Sequence, residues 1–177
     1  MQNLQIHELE AQTFELAARL GRRSAELGWM LVTAESCTGG LIARALTEIG
    51  GSSQWFERGF VTYSNDAKRE ALGVHELSLS TQGAVSEAVA REMAQGALRN
   101  SRAQLALSVT GVAGPGGAMP GKPVGTVAFG WATSDRVESE MRLFNGDRTQ
   151  VRLQTALHAL GLAFRFLPAS KEPAQLA

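Results

Sequence analysis

A single cysteine, Cys37, among 177 residues leaves nothing from which to build a disulfide framework. Histidine is scarce as well. His7, His75 and His158 lack the spacing of metal ligands, so no metal is expected, and the three read as surface or interface residues. An excess of charge of either sign is missing, because 17 basic residues face 17 acidic ones. Nothing in that balance points to nucleic acid or an anionic membrane, and a specific small ligand is the expected partner. No apolar run approaches the roughly 18 residues of a membrane-spanning helix. The start MQNLQIHELEAQ carries charges where a signal peptide needs an apolar stretch, so a cytoplasmic location is expected. What the chain has is a 44% hydrophobic content, enough at this length for a core without disulfides or metals. One domain over residues 1–177, with its core at about 9–166, is the expectation, and no internal repeat or linker divides it.

Hydrophobic periodicity predicts a cover helix from about Gln5 to Leu27, stopped by Gly28. Trp29 to Ala34 reads as a strand, and Leu41, Ile42, Ala45, Leu46 and Ile49 as the inner stripe of a helix ended by Gly50 and Gly51. Arg58 to Tyr63 looks like a second strand, leading into a short helix that Asn65 can cap. A longer helix is predicted to start at Ser86, with Val85, Val89, Met93 and Ala97 on one face. Gln104 to Thr110 forms a third strand, and GTVAFGWA and RVESEMRLF lie at hairpin spacing. A final helix begins near Asp147, with Gln150 in a capping-box arrangement, and runs to about Phe166; the tail after Pro168 is expected to fray. Such alternation implies an α/β fold, a largely parallel sheet covered on both faces with one strand reversed by the late hairpin.

Four segments could carry chemistry. AESCTGG, residues 34–40, sits where a strand ends and a helix begins, the place where open α/β sheets bind ligands. Its helix amides could hold an anion or a developing oxyanion, and Gly39 and Gly40 would admit a ligand close to the backbone; a simple turn capped by Ser36 or Thr38 competes with that reading. YSNDAK places Tyr63, Asn65 and Lys68 at another such junction, where a helix dipole and partial burial favour the neutral, proton-accepting amine. A solvated surface lysine is the rival. The loop from Gly111 to Lys122, with five glycines in twelve residues, could cradle a phosphate on its amides or could be plain surface. It nearly matches a P-loop, yet Pro123 stands where a magnesium-binding Ser or Thr is required, and the GxGxxG spacing is missed too. GDR, residues 146–148, puts Arg148 at a helix start, where it could hold a phosphate or carboxylate or simply face solvent. Cys37 has no histidine nearby in sequence to activate it and reads as buried packing rather than as a nucleophile.

Taken together, TAESCTGG, GSSQWFERGFVTYSNDAK, GAVSE, SVTGVAGPGG, KPVGTV and FNGDR closely resemble, in order and spacing, the stand-alone CinA C-terminal domain family, over roughly Leu9 to Leu160. The resemblance implies a three-layer α/β/α fold around a five-stranded mixed sheet of order 2-1-3-4-5 with strand 4 antiparallel. It implies a nicotinamide-nucleotide amidase that needs no cofactor, with Ser36 as nucleophile, Lys68 as base and Tyr63 as a proton relay. Thr110 and Arg148 match its remaining site positions. Thr38, Gly39, Gly40, Asn65, Gly111, Gly114 and Gly116 complete the expected substrate-binding set, with the phosphate on the glycine loop, Thr110 or Arg148. It further implies pyridine nucleotide salvage, a homodimer, and no pyrophosphatase activity, since the larger N-terminal domain of full-length CinA proteins is not in this sequence. The alternative from another class is a non-catalytic nucleotide-binding or protein-interaction domain linked to competence or DNA damage.

Overall fold

The structure, a computed structural model, describes residues 2–169. Its strands are β1 (Leu31–Glu35), β2 (Phe56–Val61), β3 (Leu105–Gly111), β4 (Thr126–Ala132) and β5 (Val137–Leu143). They form one sheet in the order β2-β1-β3-β4-β5. β1 runs parallel to β2 and β3, while β4 is antiparallel to both its neighbours. The mixed sheet with a reversed fourth strand is therefore present as the resemblance implied.

Helices α1 (Gln2–Leu27), α2 (Leu41–Thr47), α3 (Asn65–Leu72), α4 (Glu76–Gln82), α5 (Glu87–Arg99) and α6 (Arg148–Ala163) complete the architecture. One face of the sheet buries Leu31, Leu105, Leu107, Val109, Val127, Phe129 and Trp131 against side chains of α1, α2 and α6. The other buries Val32, Ala34, Ala106 and Ala132 against Leu72, Val89, Met93 and Ala97. The strands β1, β3 and β4 are covered on both faces and buried along almost their whole length.

Local chemistry sets the helix ends. Asp147 and Gln150 form the expected capping box at the start of α6. At α3 the cap is Ser64, not Asn65: the Ser64 hydroxyl accepts from the Ala67 amide at 3.0 Å, and Asn65 is the first helical residue. Both residue types cap well, and the extended backbone of Ser64 decides between them. Helix α4 had no counterpart in the sequence reading, because ELSLSTQ buries Leu79 while Leu77 is exposed. The predicted strands shift by one or two residues at their ends. Most of the tail beyond Pro168 lies outside the described residues.

Helix α3 is held down by an unusually close helix crossing. A Cβ added at Gly96 of α5 would stand 1.9 Å from the Leu72 carbonyl oxygen, so only glycine lets α5 approach the end of α3. Gly96→Ala should thus lower unfolding free energy by about 2 kcal/mol or more, despite alanine's better helix propensity. Urea denaturation measures this, and an unchanged or higher midpoint would refute the packing argument.

Candidate active site

The carboxyl ends of the three mutually parallel strands converge on one cavity of about 220 Å³. Ser36 follows β1 and Tyr63 and Lys68 follow β2, while Thr110 and Gly111 end β3. Arg148, at the first turn of α6, closes another side. This is where the switch in strand connection opens a crevice in α/β sheets.

Lys68 is the central side chain. It is 1% exposed, and its Nζ donates to the Ser36 Oγ at 3.0 Å and to the Thr62 carbonyl at 2.8 Å. The expected meeting of these two residues, 32 apart in sequence, is present directly. Burial pulls the Lys68 amine down from 10.5 to about 8, opposed by the nearby Cys37 sulfur. The Cys37 thiol is driven the other way, to about 12, chiefly by burial, so it has little thiolate character near neutral pH. Ser36 is the hydroxyl placed beside a group able to accept its proton.

Arg148 bridges two segments. Its Nη1 donates to the Gly114 carbonyl and its Nη2 to the Tyr63 hydroxyl, each at 2.9 Å. Both acceptors are neutral, which leaves the guanidinium charge for a ligand. Tyr63 is 61% exposed and is engaged by Arg148; among the described residues it makes no hydrogen bond to Ser36 or Lys68. It lines the same cavity as Ser36 and Lys68. Asn65 also lines the cavity, and so does Thr110, whose hydroxyl donates to the Ala84 carbonyl at 2.9 Å.

The glycines divide. Gly111 lines the cavity, Gly114 serves through its carbonyl, and Gly116 is exposed outside it. Gly39 and Gly40 border a separate cavity of about 370 Å³ with Arg44 and Arg152. Thr38 is fully buried, its hydroxyl donating to Glu35 at 2.7 Å. The expectation that helix amides at this turn hold an anion is corrected for a physical reason: Glu35 already does so. Its buried carboxylate accepts from the Gly40, Ile42 and Ala43 amides at 3.0, 3.0 and 2.8 Å. Sequence reasoning passed over Glu35, although an acid just before a helix start was a usable signal. It also passed over Arg152, one turn after Arg148 on α6, whose Nη2 donates to the Thr38 carbonyl at 2.6 Å. Among the described residues no cluster of three or more His, Cys, Asp or Glu side chains could hold a metal, and no helix is long and apolar enough to cross a membrane.

Fold and site together define an α/β domain with a buried serine-lysine pair at the carboxyl ends of its parallel strands. The chain belongs to the CinA C-terminal domain family, whose model matches residues 13–167. It is 54% identical over 157 residues to the nicotinamide-nucleotide amidohydrolase PncC of Enterobacter agglomerans, covering 88% of this chain and 96% of that protein. The PncC of Escherichia coli strain K12 is 50% identical over 153 residues, covering 85% and 92%. Longer relatives exist as well: a putative competence-damage inducible protein of Symbiobacterium thermophilum is 50% identical over 86% of this chain but only 38% of its own length. Among solved structures, the competence/damage inducible protein CihA from Agrobacterium tumefaciens superposes with a TM-score of 0.84 at 51% identity, covering 87% of this chain and 94% of that one.

The depressed Lys68 value carries a stability consequence. Between about 8 and 10.5 the unfolded chain holds a proton on Lys68 that the folded chain has released, so stability rises with pH across that window. Lys68→Met removes this dependence. The stability of wild type relative to the variant should rise from pH 8 to 10.5 and be flat below, as read from denaturant midpoints at each pH; a pH-independent difference would refute the buried, depressed amine.

Proposed function

We propose that this chain is a nicotinamide-nucleotide amidase, acting as a single domain in the cytoplasm within pyridine nucleotide salvage, and that it hydrolyses nicotinamide mononucleotide to nicotinate mononucleotide and ammonia by a serine-lysine mechanism. The observation that carries the reading is the buried 3.0 Å contact between Ser36 Oγ and Lys68 Nζ at the cavity floor. The PncC relatives, similar over most of their length, support the substrate class.

In this mechanism the neutral Lys68 amine takes the Ser36 proton as Oγ attacks the carboxamide carbon. The resulting ammonium passes that proton to the departing nitrogen, which leaves as ammonia, and an ester links the nicotinoyl group to Ser36. Water then attacks the ester while Lys68 accepts its proton and returns it to Ser36 Oγ, releasing the carboxylate. Proton transfer is direct, because Tyr63 is committed to Arg148. Arg148 is positioned for the 5′-phosphate, whose binding energy would also orient the distant amide.

Ammonia release from nicotinamide mononucleotide by the purified protein tests the reading, with a rate that rises through about pH 8 as Lys68 loses its proton. Ser36→Ala should abolish release without unfolding the chain, whereas Cys37→Ala should keep most of it. A dead, folded cysteine variant beside an active serine variant would reverse the nucleophile assignment.

Arg148→Ala should lower kcat/KM on the nucleotide by about 1.5 to 3 kcal/mol, roughly ten- to a hundredfold or more, and should affect the riboside far less. Equal losses on the two substrates would move Arg148 from phosphate binding to folding or chemistry.

A further inference from the structure

We infer that the outer edge of β5 is a self-association surface: two copies of the chain pair their β5 strands antiparallel about a two-fold axis at Glu140, joining the two sheets into one. No residue of β5 lines the cavity of Ser36 and Lys68, so the dimer and the amidase reading can fail separately.

β5 is the last strand in the sheet order, and only its β4 side is paired. Which backbone groups remain on the other side follows from the register. The Thr133 amide donates to the Arg136 carbonyl at 2.8 Å and the Phe144 amide to the Gly125 carbonyl at 3.0 Å, at the two ends of the hairpin. Hydrogen-bonded pairs in an antiparallel ladder recur at every second residue, and between those ends the register sets Glu138 opposite Trp131, Glu140 opposite Phe129 and Arg142 opposite Val127. The even-numbered residues of β5 therefore spend their amides and carbonyls on β4, while those of Val137, Ser139, Met141 and Leu143 point outward. Met141 and Leu143 are exposed large apolar side chains as well. A regular edge of this kind is a template for another strand. At the opposite edge of the sheet the pairing of β2 with β1 carries a register shift, whereas β4 and β5 pair without one.

The order of charges on the strand selects the occupant. Glu138, Glu140 and Arg142 share the face toward α6, where Glu140 meets His158. Charges on an edge strand ordinarily keep other chains away. Here they are complementary to their own reversal. With the axis at Glu140, the midpoint of Val137–Leu143, Val137 lies opposite Leu143 and Ser139 opposite Met141 of the other copy, so every outward amide and carbonyl of both strands finds a partner. The same register sets each Glu138 opposite the other copy's Arg142, in the closely spaced type of pair where side chains interact most. Arg142 is exposed and, among the described residues, bonded only to Glu140 of its own strand. The two Glu140 side chains meet at the axis, each already bonded to its own Arg142 and His158. An axis at Ser139 would instead set Glu138 against Glu140, and one at Met141 would carry Val137 past the end of the facing strand.

Sedimentation velocity on the full chain at micromolar concentrations provides the test. Wild type should sediment as a dimer, and a monomer at every concentration would overturn the inference. Met141→Pro removes an outward amide that the single chain does not use, at the kind of edge position where proline is tolerated, and should give a folded monomer. Glu138→Arg and Arg142→Glu should each weaken self-association by about tenfold or more, since each sets like charges opposite one another at both symmetric positions. Mixed in equal amounts, these two variants should associate with each other to within about threefold of wild type, because positions 138 and 142 then carry two cations on one chain and two anions on the other. A folded Met141→Pro variant that dimerises like wild type would overturn the inference, and so would charge variants that self-associate normally or fail to pair when mixed. Should Met141→Pro fail to fold, the charge variants and their mixture decide by the same criteria. Ammonia release by a monomeric wild type removes the dimer and leaves the amidase reading; a dimer that releases no ammonia does the reverse.

Discussion

A buried lysine amine governs the design of this domain. Placing Lys68 beneath the ends of the parallel strands removes its ammonium from water, and the structure returns only a serine hydroxyl and one carbonyl as partners. No carboxylate pairs with it among the described residues, so the compromise is a weakened base rather than a neutralised ion pair. A carboxylate in that position would hold the proton on nitrogen and make Lys68 useless as an acceptor near neutral pH. The close crossing of α5 at Gly96 packs the end of α3, the helix that carries Lys68. A buried, depressed amine of this kind lowers stability locally, a pattern common where chemistry is done.

Around that amine the charges are sorted. The anion, Glu35, lies behind the nucleophile turn and is consumed by backbone donors, while the cations Arg148 and Arg152 approach from successive turns of α6. Four residues apart, they share one face of the helix. Arg148 points its charge past neutral acceptors at the cavity, and Arg152 points behind the turn. The cavity walls thus carry positive charge and, among the described residues, no carboxylate.

Much of this was legible in the sequence where the signal is local. The stripes of α2 and α5, the capping box of α6 and the alternation of strands with helices all follow from periodicity and end chemistry. Helix α4 escaped because its short segment has no regular apolar stripe. The contact of Ser36 with Lys68 depends on β1 and β2 lying side by side, which no local pattern specifies; the family resemblance supplied it. That the amides at the start of α2 are already engaged was out of reach, because a free helix end and one filled by a neighbouring carboxylate read alike along the chain. Only the inward turn of Glu35 distinguishes them, and that is a tertiary fact. The separate engagement of Tyr63 by Arg148 spans 85 residues and was equally out of reach.

The part played by α6 sets an order of events during synthesis. Ser36 and Lys68 lie in the first half of the chain, and β1, β2 and β3 can pair before the last described α-helix has been made. The arginines that complete the cavity and brace the turn arrive with residues 148 and 152. In a chain emerging amino end first, the serine, the lysine and all three parallel strands are therefore synthesised before the two arginines. Completion of the cavity thus waits on the docking of one late helix.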